Sequence, residues 1–381
     1  MRVLYVALDQ TVPGTLGGSV HVQSVAAGLA ALGHDVHVAT RPGGHWPVGN
    51  VTWHSMGPPL GRQQLRWLRT GAVASLGRHI QANVVMERYY NFGGEGVFAA
   101  RRLRIPAVLE VNAPIIDYPG SMKARLDKGL LVEPLRRWRD RICRHVDLFV
   151  TPSTAILPAW VDRRRVLEVE WGADVDHFHP GATGPLPFHR DPSRVLCVFA
   201  GAFRSWHGVA HLSAALARLH RAGDHRFGAL FIGDGPERAA TERAARDVPG
   251  IVFTGALPHD QLPAVLASAD IGVAPFDPIK HAPLRLGFYW SPLKVFEYMA
   301  VGLPVVAPAL PRLKRLVEHG REGLLYDPDD PRGLDRAIAT LGDQALRRRL
   351  GIAARQRVVR DFSWEAHCTA LDRRIRKLRH R

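Results

Sequence analysis

Short apolar runs of strand length alternate with segments of helical spacing through the first half of the chain. Between two such runs, residues 21–34 repeat apolar positions every three or four residues, which predicts a helix. This βαβ rhythm is typical of a parallel sheet that is covered by helices on both faces. The strands predicted in this half are residues 2–8, 35–40, 83–88, 106–112 and 147–153.

The pattern is interrupted at residues 174–193, which are rich in Pro, Gly and His, and then resumes. Helical spacing returns at residues 259–269 and 291–302. The sequence therefore predicts an α/β fold of two Rossmann-like, doubly wound domains that face each other across a cleft. We expect an acceptor-binding domain at 1–185, a nucleotide-sugar-binding domain at 186–360, and a final helix at 361–381 that packs back on the first domain. The later predicted strands are 194–201, 228–235, 251–255, 270–276 and 304–308.

Composition narrows the classes of protein. The three cysteines are far apart and form no metal-binding or disulfide pattern, which favours a reducing compartment. We find no secretory leader and no uncharged apolar run of about 18 residues, so we expect a cytoplasmic protein. The net charge of +16 favours an anionic partner, namely a nucleotide, a nucleic acid or a membrane surface, although a GC-rich genome produces the same excess of arginine.

Three glycine-bearing loops follow predicted strands, at residues 13–21, 201–208 and 233–237. Loops at the carboxyl ends of parallel strands present backbone amides to ligands, and helix N-termini there favour phosphate. Each loop alone is a weak signal, because glycine often ends a strand. We expect Gly17, Gly18, Gly233 and Gly235 to contact a phosphorylated ligand.

Two opposite charges, Lys294 and Glu297, interrupt the apolar segment SPLKVFEYMAVGLPVVAP at residues 291–308. We place Pro292 in the first turn of a helix, where proline is tolerated. The two charges then lie three residues apart on one face. One interpretation is an ion pair. The other is a nucleoside diphosphate site, in which the lysine neutralises phosphate and the carboxylate accepts hydrogen bonds from ribose hydroxyls.

Nine motifs in order, spread over nearly the whole chain, give it a specific resemblance. The sequence resembles the retaining GT-B glycosyltransferases of the family 4 type, known as glycosyltransferase group 1. The motifs are GGSVH (17–21), LEVNAP (109–114), GAFRSWHG (201–208), GDGPE (233–237), FTGAL (253–257), ADIGVAPF (269–276), SPLKVFEYMAVGLPVVA (291–307), EGLLYDPDD (322–330) and FSWEA (362–366).

The resemblance implies roles for residues of the donor site. Glu297 matches the ribose-binding glutamate of the family's E-x7-E element, whose first glutamate is replaced here by Tyr289. The backbone from Ser291 through Pro292 and Leu293 to Lys294 would substitute for that lost contact. Arg204 and His207 take the places of the family's arginine and lysine on the donor pyrophosphate, and Lys294 would supply the missing charge. Such enzymes do not need a chelated metal, so we expect none at the D-x-D stretches 174–176 and 327–329.

The resemblance also implies an acceptor site and a mechanism. Asn112 stands where the family often has a histidine, after Glu110, and with His21 these residues would bind the acceptor. An amide cannot act as a base. In the family's front-face displacement a donor phosphate oxygen takes the acceptor proton, and closure of the domains excludes water. Asn112, Arg204 and Lys294 are the expected catalytic residues, positioning the substrates and stabilising the leaving diphosphate.

The leading hypothesis is thus a retaining hexosyltransferase without a cofactor. It would use a UDP- or GDP-sugar as donor and a glycan, a lipid-linked molecule or a small molecule as acceptor. An epimerase or hydrolase of nucleotide sugars on the same fold is an alternative. A basic nucleic-acid-binding protein is another, but the sequence has no nucleic-acid module, so we expect no nucleic-acid partner.

Two weaker features have an ordinary interpretation and a functional one. The basic segment 123–147 has helical spacing, and such a helix either lies on an anionic bilayer or presents arginines to solvent around one core face. A bilayer contact would suit a lipid-linked acceptor. Trp67, Trp138 and Trp206 either stack on sugar rings or fill cores, and Trp206 lies within the donor loop.

Overall fold

The computed structural model describes residues 1–14, 17–46, 49–118, 120–129, 133–281, 284 and 286–378. The chain divides into two compact units. The division between Trp171 and Gly172 falls earlier than the predicted 185/186 boundary. The first unit consists of Met1–Trp171, Tyr289–Ser291 and Trp364–Arg381, and the second of Gly172–Phe288 and Pro292–Ser363.

The first unit is built on a seven-stranded sheet in which all the pairings are parallel. The strand order is β3-β2-β1-β4-β5-β6-β7. The interior strand β1 buries residues 3–8 completely, as expected for a parallel strand covered on both faces. The strands are β1 (Arg2–Val12), β2 (Asp35–Pro42), β3 (Val51–Ser55), β4 (Val84–Arg88), β5 (Ala107–Glu110), β6 (Leu148–Thr151) and β7 (Val166–Glu168).

Helices connect these strands, and the last helix of the chain packs on the first. The side chain of Cys368 lies against Gly28, and His34 Nε2 is 2.6 Å from Asp372 Oδ1. The chain end is thus part of the first unit. The helices are α1 (Gly17–Ala31), α2 (Thr70–His79), α3 (Glu95–Leu103), α4 (Met122–Gly129), α5 (Pro134–Arg144) and, at the end of the chain, α13 (Trp364–Leu378).

The second unit has a six-stranded parallel sheet of order β10-β9-β8-β11-β12-β13, which is the 3-2-1-4-5-6 order of a Rossmann fold. The strands are β8 (Val195–Ala200), β9 (Phe227–Ile232), β10 (Ile251–Gly255), β11 (Ile271–Val273), β12 (Val305–Pro308) and β13 (Gly323–Tyr326). The helices are α6 (Val209–Arg221), α7 (Arg238–Ala245), α8 (Leu262–Ala267), α9 (Leu293–Ala300), α10 (Leu313–Leu316), α11 (Gly333–Thr340) and α12 (Gln344–Asp361).

The ten predicted strands are confirmed, and two Rossmann-like sheets are present. Three strands were missed because they are short or lack an apolar run: β3 (VTWHS), β7 (VLE) and β13 (GLLY). The first half of the motif EGLLYDPDD forms β13. Pro292 is the residue before α9 rather than part of its first turn.

None of the helices in the described part of the chain combines the length and the apolar character needed to span a bilayer.

Candidate functional site

The loops that leave β8 and β9 pack directly on each other in the second unit. Gly201 N donates to Ile232 O at 2.9 Å, and Phe203 N donates to Asp234 O at 2.8 Å. Gly233 has a φ of +128°, and a side chain there would overlap Gly201 O. Gly233 and Gly235 are therefore required for loop packing. Their contact with a ligand stays a prediction.

The ammonium group of Lys294 lies beside the first of these loops, close to Gly201. Nζ is buried and has no hydrogen-bond acceptor among the described residues. It lies 4.0 Å from the centroid of the Phe199 ring and 5.4 Å from that of Phe276, so aromatic faces give it some stabilisation. Burial lowers the pKa of Lys294 to about 7. An ammonium group beside the end of β8, with no anionic partner among the described residues, has the charge that an anionic ligand would need.

Glu297 follows one turn later on α9 but forms no ion pair with Lys294 in the part of the chain that the structure describes. Burial raises the pKa of Glu297 to about 7, and the charge of Lys294 opposes this shift. Two buried charges that lie near each other without a hydrogen bond between them cost free energy. The ion-pair interpretation therefore fails in this structure, and the two groups are available to a ligand.

The first turn of α9 adds backbone N–H groups, which are hydrogen-bond donors, next to the Lys294 ammonium group. The amides of Leu293 and Lys294 have no intrahelical acceptor, because they precede the first complete turn. The helix dipole also favours an anion at this end. The N-terminus of α9 and the Lys294 ammonium group thus present positive potential together.

Arg204 and His207 lie in the loop after β8, on a short 3₁₀ turn, Ser205–His207. Arg204 is exposed, with its guanidinium 5.7 Å from the centroid of the Trp206 ring. His207 Nδ1 donates to Ala202 O at 2.6 Å, which leaves Nε2 as the free ring nitrogen. Burial, then the charge of Lys294, lowers the pKa of His207 to about 3. His207 is therefore neutral at pH 7, and the predicted substitution for a lysine does not supply a positive charge.

Asn112 lies just after the carboxyl end of β5 in the first unit, and both ends of its amide are occupied. Its Nδ2 donates to Glu110 Oε1 at 2.8 Å, and its Oδ1 accepts from Trp171 Nε1 at 2.9 Å. The amide is thus fixed in one orientation. Trp171 is distant from Asn112 in the sequence, and no motif links the two residues, so the sequence did not predict this hydrogen bond.

Glu110 and His21 are buried beneath Asn112 rather than exposed to an acceptor. Glu110 is 1% exposed, accepts a hydrogen bond from the Tyr5 hydroxyl, and lies against His21 Nε2. Burial, then the charge of Arg88, holds the pKa of His21 well below its usual range. Both residues act here as a support for Asn112, and their direct contact with an acceptor stays a prediction.

The amino end of α1 contains the other two residues that we predict to bind the nucleotide-sugar donor. Gly17 and Gly18 open the helix, and a side chain at Gly18 would overlap Gln10. The preceding residues, Thr15 and Leu16, lie outside the described residues. Phosphate binding by the amides of Gly17 and Gly18 stays a prediction.

Ser291 and Tyr289 belong to the first unit, whereas Pro292, Leu293, Lys294 and Glu297 belong to the second. The Ser291 hydroxyl donates to Glu170 Oε2 at 2.7 Å and accepts from Trp171 N at 2.9 Å. Ser291 is thus engaged within its own unit. That Ser291 contacts the nucleotide-sugar donor stays a prediction.

The three tryptophans have aromatic neighbours. Trp206 stacks on His281 with ring centroids 4.2 Å apart, and Trp67 meets Trp138 edge to face at 6.0 Å. Stacking of these tryptophans on sugar rings stays a prediction. The described residues contain no group of three or more His, Cys, Asp or Glu side chains placed to hold a metal ion.

Two family models match the chain. The model described as "Glycosyl transferase 4-like domain" matches residues 17–163, and "Glycosyl transferases group 1" matches residues 194–344. Each match covers most of one parallel sheet. Together they span both units.

Individual proteins also resemble the chain over nearly its full length. A GDP-mannose-dependent alpha-mannosyltransferase of Corynebacterium glutamicum is 27% identical over 392 aligned residues, covering 97% of this chain and 87% of that protein. The structure of sucrose-phosphate synthase from Thermosynechococcus elongatus has a TM-score of 0.75 and 20% identity, covering 99% of this chain and 98% of the other. The Anabaena protein Alr3699/HepE in complex with UDP has a TM-score of 0.70 and 17% identity, covering 99% and 100%. With both sheets matched in order, the chain belongs to the group 1 glycosyltransferases of the GT-B fold.

Proposed function

We propose that this glycosyltransferase moves a hexose-type sugar, with retention of configuration, from a nucleoside diphosphate sugar to an acceptor hydroxyl. The observation that carries the proposal is the buried, unpartnered Nζ of Lys294 beside the loop after β8. A diphosphate is the anion that best explains it, because Arg204 and the amino end of α9 belong to the same unit and are also without an anionic partner in the described structure. Glu297, also on α9, would accept the ribose hydroxyls.

Lys294 and Arg204 would act mainly on the leaving group. Negative charge grows on the diphosphate as the glycosidic bond breaks, and fixed cations in a dry site stabilise it without reorganising. Each such contact is worth roughly 3 kcal/mol of barrier, by analogy with oxyanion-hole donors. His207, being neutral, would accept or relay a hydrogen bond through Nε2 rather than supply charge.

Asn112 would position the acceptor. Its amide is held by Glu110 and Trp171, so it can orient a hydroxyl but cannot remove a proton. In a retaining front-face displacement, a donor phosphate oxygen takes that proton while the acceptor oxygen attacks the anomeric carbon. The absence of a base at Asn112 is compatible with this route.

The donor is proposed to be a GDP- or UDP-sugar. One relative depends on GDP-mannose, and one structural neighbour was solved with UDP. A glycan, a lipid-linked molecule or a small molecule would accept the sugar, in the cytoplasm. The protein would need no cofactor and no metal.

A thermal-shift screen with UDP, GDP, ADP and TDP tests the donor site. A nucleotide at 100 times its Kd should stabilise the wild type by about 2.7 kcal/mol. Lys294→Met and Glu297→Ala should lose this shift, while Lys314→Met, which removes an exposed lysine of the same unit, should keep it. No shift with any nucleotide, or an undiminished shift in both site variants, would refute the assignment. Product analysis by NMR with the stabilising nucleotide's sugar then decides between retention and inversion.

A further inference from the structure

Three neighbouring grooves run along one side of the first unit and share arginines. The first, of about 710 Å³, is lined by Trp67, Trp138, Arg101, Arg102 and Arg141, among others. Its lining contains no acidic residue. None of the residues proposed to bind donor or acceptor lines it, so this groove is separate from the site described above.

The second and third grooves continue this surface around the end of α5. The second, of about 500 Å³, shares Arg101 with the first and adds Arg104 and Arg144. The third, of about 530 Å³, shares Arg144 with the second and adds Trp160. We call the five exposed arginines that line this path and form no ion pair in the described structure the arginine belt: Arg101, Arg102, Arg104, Arg141 and Arg144. Arg136 also lines the third groove but pairs with Glu133.

The arginine belt brings five guanidinium groups together on one surface of the first unit. No carboxylate of the described residues forms an ion pair with any of its five members. Arg101 instead faces the ring of His145, another potential cation. Burial, followed by the charges of Arg101, Arg141 and Arg144, lowers the pKa of His145. The lining of the second and third grooves also contains Asp117, Asp140 and Asp147, so the excess of positive charge is greatest along the first groove, which has no acidic lining residue.

Apolar side chains flank the arginine belt at both ends. Trp67 and Leu68 are 42% and 52% exposed beside the first groove, and Trp160 is 49% exposed beside the third. Tryptophan is enriched where proteins meet the lipid–water interface, and arginines near an anionic leaflet are attracted to it. A polyphosphate backbone alone would give the exposed Leu68 nothing to contact.

We propose that the arginine belt, with Trp67, Leu68 and Trp160, is a docking surface for an anionic phospholipid bilayer. The headgroup phosphates would bind the arginines, and the apolar side chains would enter the interface. This surface differs from the membrane helix that the sequence predicts at 123–147. Only α5 of that segment contributes, its Arg139 is buried against Asp117, and Leu130–Val132 lie outside the described residues. The proposal does not depend on the sugar transferred.

The test is cosedimentation of the full chain with vesicles. We expect binding to vesicles of equal parts phosphatidylglycerol and phosphatidylcholine, weakening with salt, and none to phosphatidylcholine alone. Each arginine near such a surface contributes about fivefold to partitioning, so Arg101→Gln/Arg102→Gln/Arg141→Gln should lose on the order of a hundredfold. The matched control, Arg243→Gln/Arg348→Gln/Arg349→Gln, removes three exposed charges from the second unit and should bind like the wild type.

Other outcomes overturn the proposal. Absence of binding to anionic vesicles, or an equal loss in both triple variants, would show that the belt has no special role. A short DNA duplex that binds more tightly than the vesicles and depends on the same arginines would assign the belt to nucleic acid. Should the first triple variant fail to fold, Leu68→Ser/Trp160→Ser decides. It should lower vesicle binding at fixed charge, and unchanged binding would contradict docking.

Discussion

Lys294 and Glu297 stand out among the single residues of this protein because burial moves the pKa of each to about 7. Neither group has a bonded partner in the described structure. At neutral pH each of the two groups is therefore a mixture of its charged and neutral forms. A nucleoside diphosphate would favour the charged form of both, since phosphate stabilises the ammonium and ribose hydroxyls stabilise the carboxylate.

We predict that nucleoside diphosphate affinity is bell-shaped in pH, with a maximum near pH 7. Above the pKa of Lys294 in the empty protein, binding must take up a proton, so affinity falls by up to about tenfold per pH unit. Below the pKa of Glu297, binding must release a proton, and affinity falls in the other direction. Calorimetry in buffers of different ionisation enthalpy measures both proton transfers.

The control for this profile is Lys294→Arg. Arginine stays charged across the range, so the alkaline limb should disappear while the acidic limb remains. A flat profile in the wild type would contradict the assignment of both groups to the ligand.

We further predict that Asn112→Ala lowers kcat by about 10- to 100-fold and leaves the donor KM nearly unchanged, because the amide orients the acceptor and does not touch the nucleotide. Steady-state kinetics with any hydroxyl acceptor that supports turnover, together with the nucleotide thermal shift, separates the two effects. A raised donor KM with normal kcat would place Asn112 at the donor instead.

Among the helices and strands, the start of α6 depends on the backbone conformation of a single glycine, Gly208. Gly208 precedes the helix with a φ of +69°, and a side chain there would overlap Pro275 O in the segment after β11. The loop that carries Arg204 and His207 is closed by this contact. Glycine is therefore required for two reasons, the positive φ and the lack of space.

Gly208→Ala should lower the free energy of unfolding by about 3 kcal/mol and weaken nucleotide binding, because the loop must shift. Gly223→Ala is a matched control: its φ is +86°, but nothing lies within 4 Å of an added methyl group. It should cost only about 1 kcal/mol and leave binding intact. Urea unfolding and nucleotide titration measure both. Equal costs in the two variants would show that the Pro275 contact is unimportant.

At the scale of the whole molecule, the main feature is that the end of the chain belongs to the first unit. After building the second unit, the chain returns to the first, where α13 packs on α1 through Cys368, opposite Gly28. Trp364 and His367 lie near His21, with ring centroids 5.2 and 5.8 Å from it. The last helix thus helps to enclose the residues beneath Asn112.

Leu371→Ala, in the buried face of α13, should therefore lower the free energy of unfolding by about 3 kcal/mol. Arg373→Ala, an exposed neighbour on the same helix, should stay within about 0.5 kcal/mol of the wild type. Chemical denaturation followed by tryptophan fluorescence measures both. An unchanged Leu371→Ala would mean that α13 is not needed for the stability of the first unit.

The sequence by itself determined the α/β class, ten of the strands, the glycine loops and the family. These features are local: strand and helix periodicity follows from which face of each segment must be buried. The family is identified from motifs such as GAFRSWHG, which are short contiguous stretches that occur in a fixed order along the chain. The strands it missed, such as Val51–Ser55, lack that local signal, because they are specified by pairing with a neighbouring strand.

Only the tertiary structure decided the state of the site residues. Lys294 could have paired with Glu297, and the packing against Phe199 and Phe276 leaves it unpaired. Asn112 is fixed by Trp171, distant in sequence. The arginine belt assembles from α3 with the adjacent Arg104 and from α5, and β5 and α4 lie between these two helices in the chain. Charge state and orientation depend on neighbours brought together by long-range contacts, and spacing along the sequence does not specify those neighbours.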